Sequence, residues 1–123
     1  MSGESLSLEE LMALIRNFIV ERDWAHFQKP SALAMSASIE MGELLERFQW
    51  MSDDEISNLL RDEQYQESIA DEIADVVIYM IRLADTTGIN LTQAILRKME
   101  KNEEKYPASE WKGRIPDKVR NSE

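Results

Sequence analysis

Two stretches of this chain carry the same arrangement of acids beside an apolar stripe, and that repetition limits what it can fold into. In the first, Leu33, Ala37, Met41, Leu44 and Phe48 recur at helical spacing. One position behind them run Ser36, Glu40, Glu43 and Arg47. In the second, Ile69, Ile73, Val76, Met80 and Leu83 form the stripe, with Ser68, Glu72, Asp75 and Tyr79 one position behind. Both spell Ser-x3-Glu-x2-acid, with the carboxylates against the edge that packing buries. Two such helices packed core to core bring four carboxylates together. Two carboxylates about 4 Å apart repel by roughly 4 kcal/mol at an effective dielectric of 20. Four in one place must take up protons or hold cations.

The rest of the chain reads as further helices. Ser7 with Glu10 is a capping box, and Leu8, Leu11, Ile15, Phe18 and Ile19 mark a first amphipathic helix running out near Asp23. Trp24 to Lys29 is a connector closed by Pro30, and the helix carrying Glu40 and Glu43 then extends to about Trp50. Ser52 and Glu55 form a second capping box for a short helix through Leu60. A long helix covers about Gln64 to Thr87, stopped by Gly88, and Asn90 starts the last one, with Leu91, Ala94, Ile95 and Met99. Pro107, Gly113 and Pro116 make the chain irregular from Tyr106 onward. No strand-like alternation survives, so the expected fold is all-α and four-helix-bundle-like. It has one helical domain over 1–107 and an irregular tail over 108–123.

Between Ile73 and Ala84 the long helix is apolar nearly all round, which requires burial on more than one side. A subunit of 123 residues has too few helices to surround it, so the chain is expected to associate with itself, by antiparallel packing about a two-fold axis. No apolar run is long enough to span a bilayer and no signal pattern opens the chain, so the default is a cytoplasmic protein with no membrane contact. The chain lacks cysteine, which removes thiolate metal sites, and its formal net charge of −10 argues against a nucleic-acid polymer as partner. A small phosphate-bearing ligand stays open, because bound cations reverse the local sign.

Glu40 and Glu43 are three apart, as are Glu72 and Asp75, so each pair lies on one face within a turn. Hard carboxylate oxygens suit Mg2+, which also bridges to substrate phosphates. A merely solvated acidic face accounts for Glu46, Glu55, Glu63 and Glu103, but poorly for four acids that flank apolar stripes. A di-iron site is the other metal reading, yet it calls for Glu-x-x-His pairs. The single histidine, His26, lies in neither helix.

Glu40-x-x-Glu43 followed, after 28 intervening residues, by Glu72-x-x-Asp75 resembles the E-x-x-E and E-x-x-D signature of the MazG-like all-α nucleoside triphosphate pyrophosphohydrolases. Glu21-Arg-Asp-Trp24, Glu43-Leu-Leu-Glu-Arg-Phe-Gln-Trp50, Asp75-Val-Val-Ile-Tyr79 and Lys98-Met-Glu-Lys-Asn102 through Tyr106-Pro107 resemble the dCTP pyrophosphatase branch of that family, and the likeness spans about residues 8 to 107. The resemblance implies Mg2+-dependent hydrolysis of a deoxynucleoside triphosphate, dCTP or a related or modified one, by water attack at the α-phosphate. It also implies a homotetramer built as a dimer of dimers, with sites shared between subunits. On it, Glu40, Glu43, Glu72 and Asp75 resemble the Mg2+ ligands and the catalytic acids, and Lys98 and Asn102 the phosphate and sugar contacts. Trp24, Trp50 and Tyr106 correspond to positions near the base, with Tyr79 on the acidic stripe. The family often has histidine where this chain has Gln28, a residue able both to donate and to accept at the base edge. The reading of a different class is a non-catalytic helical assembly module whose acids form only a negative surface.

Overall fold

The computed structural model describes residues 5–116. Among the described residues every regular element is helical: α1 (Leu8–Glu21), a 3-10 turn (Ala25–Phe27), α2 (Pro30–Glu46), α3 (Asp53–Leu59), α4 (Glu63–Thr86), α5 (Leu91–Lys105) and α6 (Ala108–Trp111). The chain divides into two compact units, Met1–Leu91 and Thr92–Glu123. No helix among the described residues is long and apolar enough to cross a membrane.

The helix starts follow from local chemistry. Ser7 Oγ accepts from the Glu10 N–H at 3.1 Å while the Ser7 N–H donates to Glu10 Oε1 at 3.0 Å, a reciprocal pair that satisfies two otherwise orphaned donors. Ser52 Oγ accepts from the Glu55 N–H at the head of α3, and Asp62 Oδ1 from the Gln64 N–H at the head of α4. Pro30 opens α2, where its missing N–H is harmless.

The ends of α1 and α4 share one device. At α4 the Gly88 N–H donates to Asp85 O and the Ile89 N–H reaches back to Ala84 O, with Gly88 at φ +72°. That is a Schellman motif, and it needs a left-handed residue. At α1 the Asp23 N–H donates to Val20 O and the Trp24 N–H to Ile19 O, with Asp23 at φ +54°. Trp24 is thereby thrown back against α1, where its ring meets Phe18 edge-on at 5.9 Å.

Two expectations are corrected. The helix expected to reach Trp50 ends at Glu46, with Arg47 to Trp50 in turns. The last bonds tighten to three-residue spacing, Arg47 N–H to Leu44 O and Phe48 N–H to Leu45 O, and Tyr65 Oη donates to the Arg47 carbonyl at 2.7 Å. The tail expected to be irregular from Tyr106 contains a one-turn helix, α6, whose Trp111 packs edge-on against Tyr106 at 5.1 Å. Residues 117–123 of that tail lie outside the described residues.

Within the first unit α2 packs chiefly on α4, and α1 on α4 more lightly. Arg47 meets Tyr65, Glu40 and Glu43 cluster with Glu72, and Gln28 meets Arg82, so α2 and α4 run antiparallel. Leu33 and Ala37 of α2, Ile69, Ile81 and Ala84 of α4 and Ile19 of α1 are buried, each large side chain worth about 1.5–3 kcal/mol. Met41, Ile73 and Met80, expected on the inward stripes, remain exposed. Ile73, Val77 and Met80 instead form an outward stripe, each 47% exposed.

One charged group is buried beside this core. Arg82, 6% exposed, donates from Nη1 to Asp85 Oδ2 at 2.5 Å, while Arg16 grips the same carboxylate from α1 with Nε at 2.9 Å and Nη2 at 2.7 Å. The hydrogen bonds from Arg16, more than the charges, hold the Asp85 carboxyl below its ordinary 3.8. A depressed carboxyl contributes stability that is present above 3.8 and lost as pH falls through its folded-state pKa. Asp85→Asn should therefore destabilise the fold by about 3 kcal/mol at neutral pH, because it strands a buried guanidinium charge. Urea titrations of both proteins across acid pH should show the difference shrinking below 3.8; a gap independent of pH would refute the assignment.

Candidate metal centre and adjoining hollow

Antiparallel packing sets Glu40 and Glu43 of α2 against Glu72 of α4. One carboxylate oxygen from each lies within 4.8 Å of the others. Helical spacing puts the two α2 acids on consecutive turns of one face, and the inward anchoring of Leu33, Ala37 and Ile69 aims that face along the seam. Glu40 and Glu72 are half-buried, and Glu43 is exposed. Glu40 Oε2 and Glu72 Oε2 are buried with no hydrogen-bond partner. An orphaned, buried carboxylate oxygen loses its hydration without replacement. Burial first, then a hydrogen bond with Glu43 and the charges of Glu43, Asp75 and Glu72, push the Glu40 carboxyl above its ordinary value. The donor set is all hard oxygen, and the group can hold a metal ion.

Asp75 is exposed and stands one turn beyond Glu72. It is near enough for its charge to act on Glu40 but is not one of the clustered three. Arg47 reaches Glu72 Oε1 at 3.5 Å and joins Glu43, Glu46 and Glu72 around an open hollow of about 470 Å3. Ser68, which shares the acidic stripe, spends its hydroxyl on Tyr65 O at 2.7 Å.

Asp75 also borders a second hollow, of about 300 Å3, with Trp24, Gln28, Tyr79 and Arg82 among its walls and Ile15, Phe18, Ile19 and Ile78 behind. Three of the residues singled out for base contact or the acidic stripe, Trp24, Gln28 and Tyr79, thus line one space next to the acids. Trp50 does not line it. That indole is 91% exposed on a left-handed residue at φ +65°. Lys98, exposed, and Asn102 and Tyr106, half-buried, lie one turn apart along α5 and just after it.

Arg82 and Asp85 were missed at the level of sequence, although a signal existed. A single arginine inside Met80-Ile81-Arg82-Leu83-Ala84 interrupts an otherwise apolar run, and such a charge needs a partner. Asp85, three residues on, is the first candidate. Gln28 as the second partner could not be found that way, because it comes from 54 residues earlier.

Known proteins resemble this chain over most of its length. Residues 35–114 match the MazG-like family. The chain is 37% identical over 101 residues to dCTP pyrophosphatase 1 of Mus musculus, which covers 82% of this chain and 59% of that protein. It is 36% identical over 102 residues to dCTP pyrophosphatase 1 of Homo sapiens, covering 83% and 60%. It thus spans about three-fifths of the length of the curated relatives it matches. A solved pyrophosphatase from Archaeoglobus fulgidus superposes with a TM-score of 0.75 at 44% identity, covering 87% of this chain and 98% of that one. An all-helical fold, a carboxylate cluster on the seam of α2 and α4, and matches across most of the chain lead to one conclusion: the chain belongs to the MazG-like family.

Proposed function

We propose that this chain is a nucleotide pyrophosphohydrolase that needs Mg2+ and converts a deoxynucleoside triphosphate, dCTP or a related or modified one, to the monophosphate and pyrophosphate. The observation that carries the reading is the clustering of Glu40, Glu43 and Glu72 with two buried oxygens left unpartnered. An acidic surface serving only for contact has no need of orphaned oxygens inside the seam. The likeness to proteins named as pyrophosphatases supports the reaction class.

Glu40, Glu43, Glu72 and Asp75 would hold the Mg2+. Bound there, it supplies charge neutralisation of the triphosphate and polarisation of the α-phosphoryl group. The chain's own residues do the rest. Water attacks the α-phosphorus, the bond to the α–β bridging oxygen breaks, and pyrophosphate departs. Glu43, exposed and one turn from Glu40, would receive the proton of the attacking water. A covalent route is not favoured, because the chain has no cysteine and His26 lies outside the acidic helices, tilted against Phe27 with ring centroids 3.9 Å apart. Trp24 and Tyr79 would wall the base, Trp50 and Tyr106 would add aromatic faces, and Lys98 and Asn102 would meet phosphate and sugar.

The assembly belongs to the same proposal. Ile73, Val77 and Met80 share one exposed face of α4, and an apolar stripe of that kind favours a second copy. We read the particle as a homotetramer, a dimer of dimers in which neighbouring copies complete the sites. Light scattering at micromolar concentration should report about four times 14.3 kDa; a fully active monomer would sink the shared-site reading.

Two variants test the centre. Glu43→Gln should fold and lose at least about 100-fold in kcat at saturating Mg2+, as expected when a proton acceptor is removed. Wild-type turnover in that variant would exclude Glu43. Glu40→Gln should melt higher than wild type without divalent cation at neutral pH. A carboxyl whose pKa is raised on folding is destabilising once ionised, and glutamine cannot ionise. The same variant should lose most of the rise in Tm that Mg2+ gives the wild type. Equal Mg2+-dependent shifts in the two proteins would remove Glu40 from the set.

A further inference from the structure

The hollow beside Trp24 has a hydrogen-bonding polarity that follows from one buried arginine. Gln28 carries an acceptor oxygen and a donor NH2. Arg82, 6% exposed, donates from Nε to Gln28 Oε1 at 2.9 Å. A guanidinium has donors only, so it dictates which end of the amide turns toward it. The oxygen faces Arg82, and the planar carboxamide carries its NH2 on the other side. Arg82 is itself immobilised by Asp85, which Arg16 holds with two further hydrogen bonds. The orientation of one amide is therefore fixed through a continuous chain of bonds that begins on α1.

Gln28 and Arg82 line the hollow together with Asp75 and Tyr79, so the Gln28 NH2 and the Arg82 N–H groups are among the donors of its wall. Asp75 lines the same hollow and acts electrostatically on Glu40. A nucleotide with its phosphates at the acids thus has its base within reach of Gln28. We infer that Arg82 is a positioning residue that locks Gln28 as an N–H donor, so that the hollow selects a base edge presenting acceptors, such as N3 and O2 of cytosine, over one presenting N3–H, as in uracil. The inference rests on the proposed pyrophosphohydrolase reading for its ligand class. Its energetic basis is the mismatch: an N3–H opposite the fixed NH2 leaves two donors facing each other and both unpaired. A site built on a polar contact rejects the analogue lacking that contact far more strongly than an apolar pocket rejects a change of size.

The test uses the full-length protein with Gln28→Glu and Arg82→Lys. Gln28→Glu keeps a partner for Arg82 and replaces the amide donor by an acceptor. Calorimetric binding of dCMP and dUMP without divalent cation is read first, and kcat/KM for dCTP and dUTP with Mg2+ second. Each pair carries identical phosphates, so the added charge of the glutamate cancels in the ratio. Wild type should prefer cytosine in both measurements by about tenfold or more. Gln28→Glu should erase or reverse that preference through KM with little change in kcat. Arg82→Lys, which can serve Asp85 or Gln28 but offers no planar fork to both, should reduce the preference in the same direction while remaining folded by Tm. A ratio unchanged in Gln28→Glu, or equal binding of dCMP and dUMP by wild type, overturns the inference. Failure of wild type to hydrolyse any nucleoside triphosphate overturns the enzymatic reading, while the mononucleotide measurement still decides the role of Gln28.

Discussion

Like-charge repulsion in the middle of the α2–α4 seam is the constraint to which the rest of the first unit responds. Glu40, Glu43 and Glu72 bring oxygens within 4.8 Å of one another while two of those side chains are half-buried. Among the described residues only Arg47 answers them directly, at 3.5 Å and from an exposed position, so the relief is small. The helices stay together because each end of the seam is fastened. At one end Tyr65 bonds the Arg47 carbonyl, and at the other Arg82 bonds Gln28. Between the fastenings, Leu33, Ala37 and Ile69 supply the apolar contact. The unfavourable element thus sits between favourable ones, the arrangement expected where a charge cluster is kept for binding.

The long helix α4 serves both partners in this balance. Its inward side carries Ile69, Ile81 and Ala84 together with the acid of the centre, and its last turns carry the Arg82–Asp85 pair that reaches α1. Its outward side carries Ile73, Val77 and Met80. The inward apolar contacts and the Arg82–Asp85 tie to α1 both oppose rotation of the helix about its axis. That rigidity keeps Glu72 in register with Glu40 and Glu43.

Much of this was legible in the residues themselves. The caps at Ser7 and Ser52, the stop at Gly88 and the acid–apolar repeat are local patterns; they locate helix ends and the three acids that cluster, Glu40, Glu43 and Glu72, while Asp75 stands outside the three. What sequence alone could not supply depends on contacts between distant segments. The carbonyl left at the end of α2, that of Arg47, is satisfied by a hydroxyl on Tyr65, and the orientation of Gln28 is set by a guanidinium on α4. The inward stripes expected from spacing are too wide for a similar reason. Ile73 and Met80 have the spacing of core residues, but α2 and α1 between them cover too little of α4 to bury both.

The three tryptophans stand in three different media. Trp24 lies edge-on to Phe18 above a charged hollow, Trp111 lies edge-on to Tyr106, and Trp50 is almost wholly in water on a left-handed residue. An indole in water emits at longer wavelength than one in an apolar surround, so Trp50, 91% exposed against 44% for Trp24, should emit further to the red. The protein therefore carries its own optical reporters. Covering of Trp50 would appear as a blue shift, and events beside Gln28 as a change in the quenching of Trp24. No dye or label is needed to tell them apart.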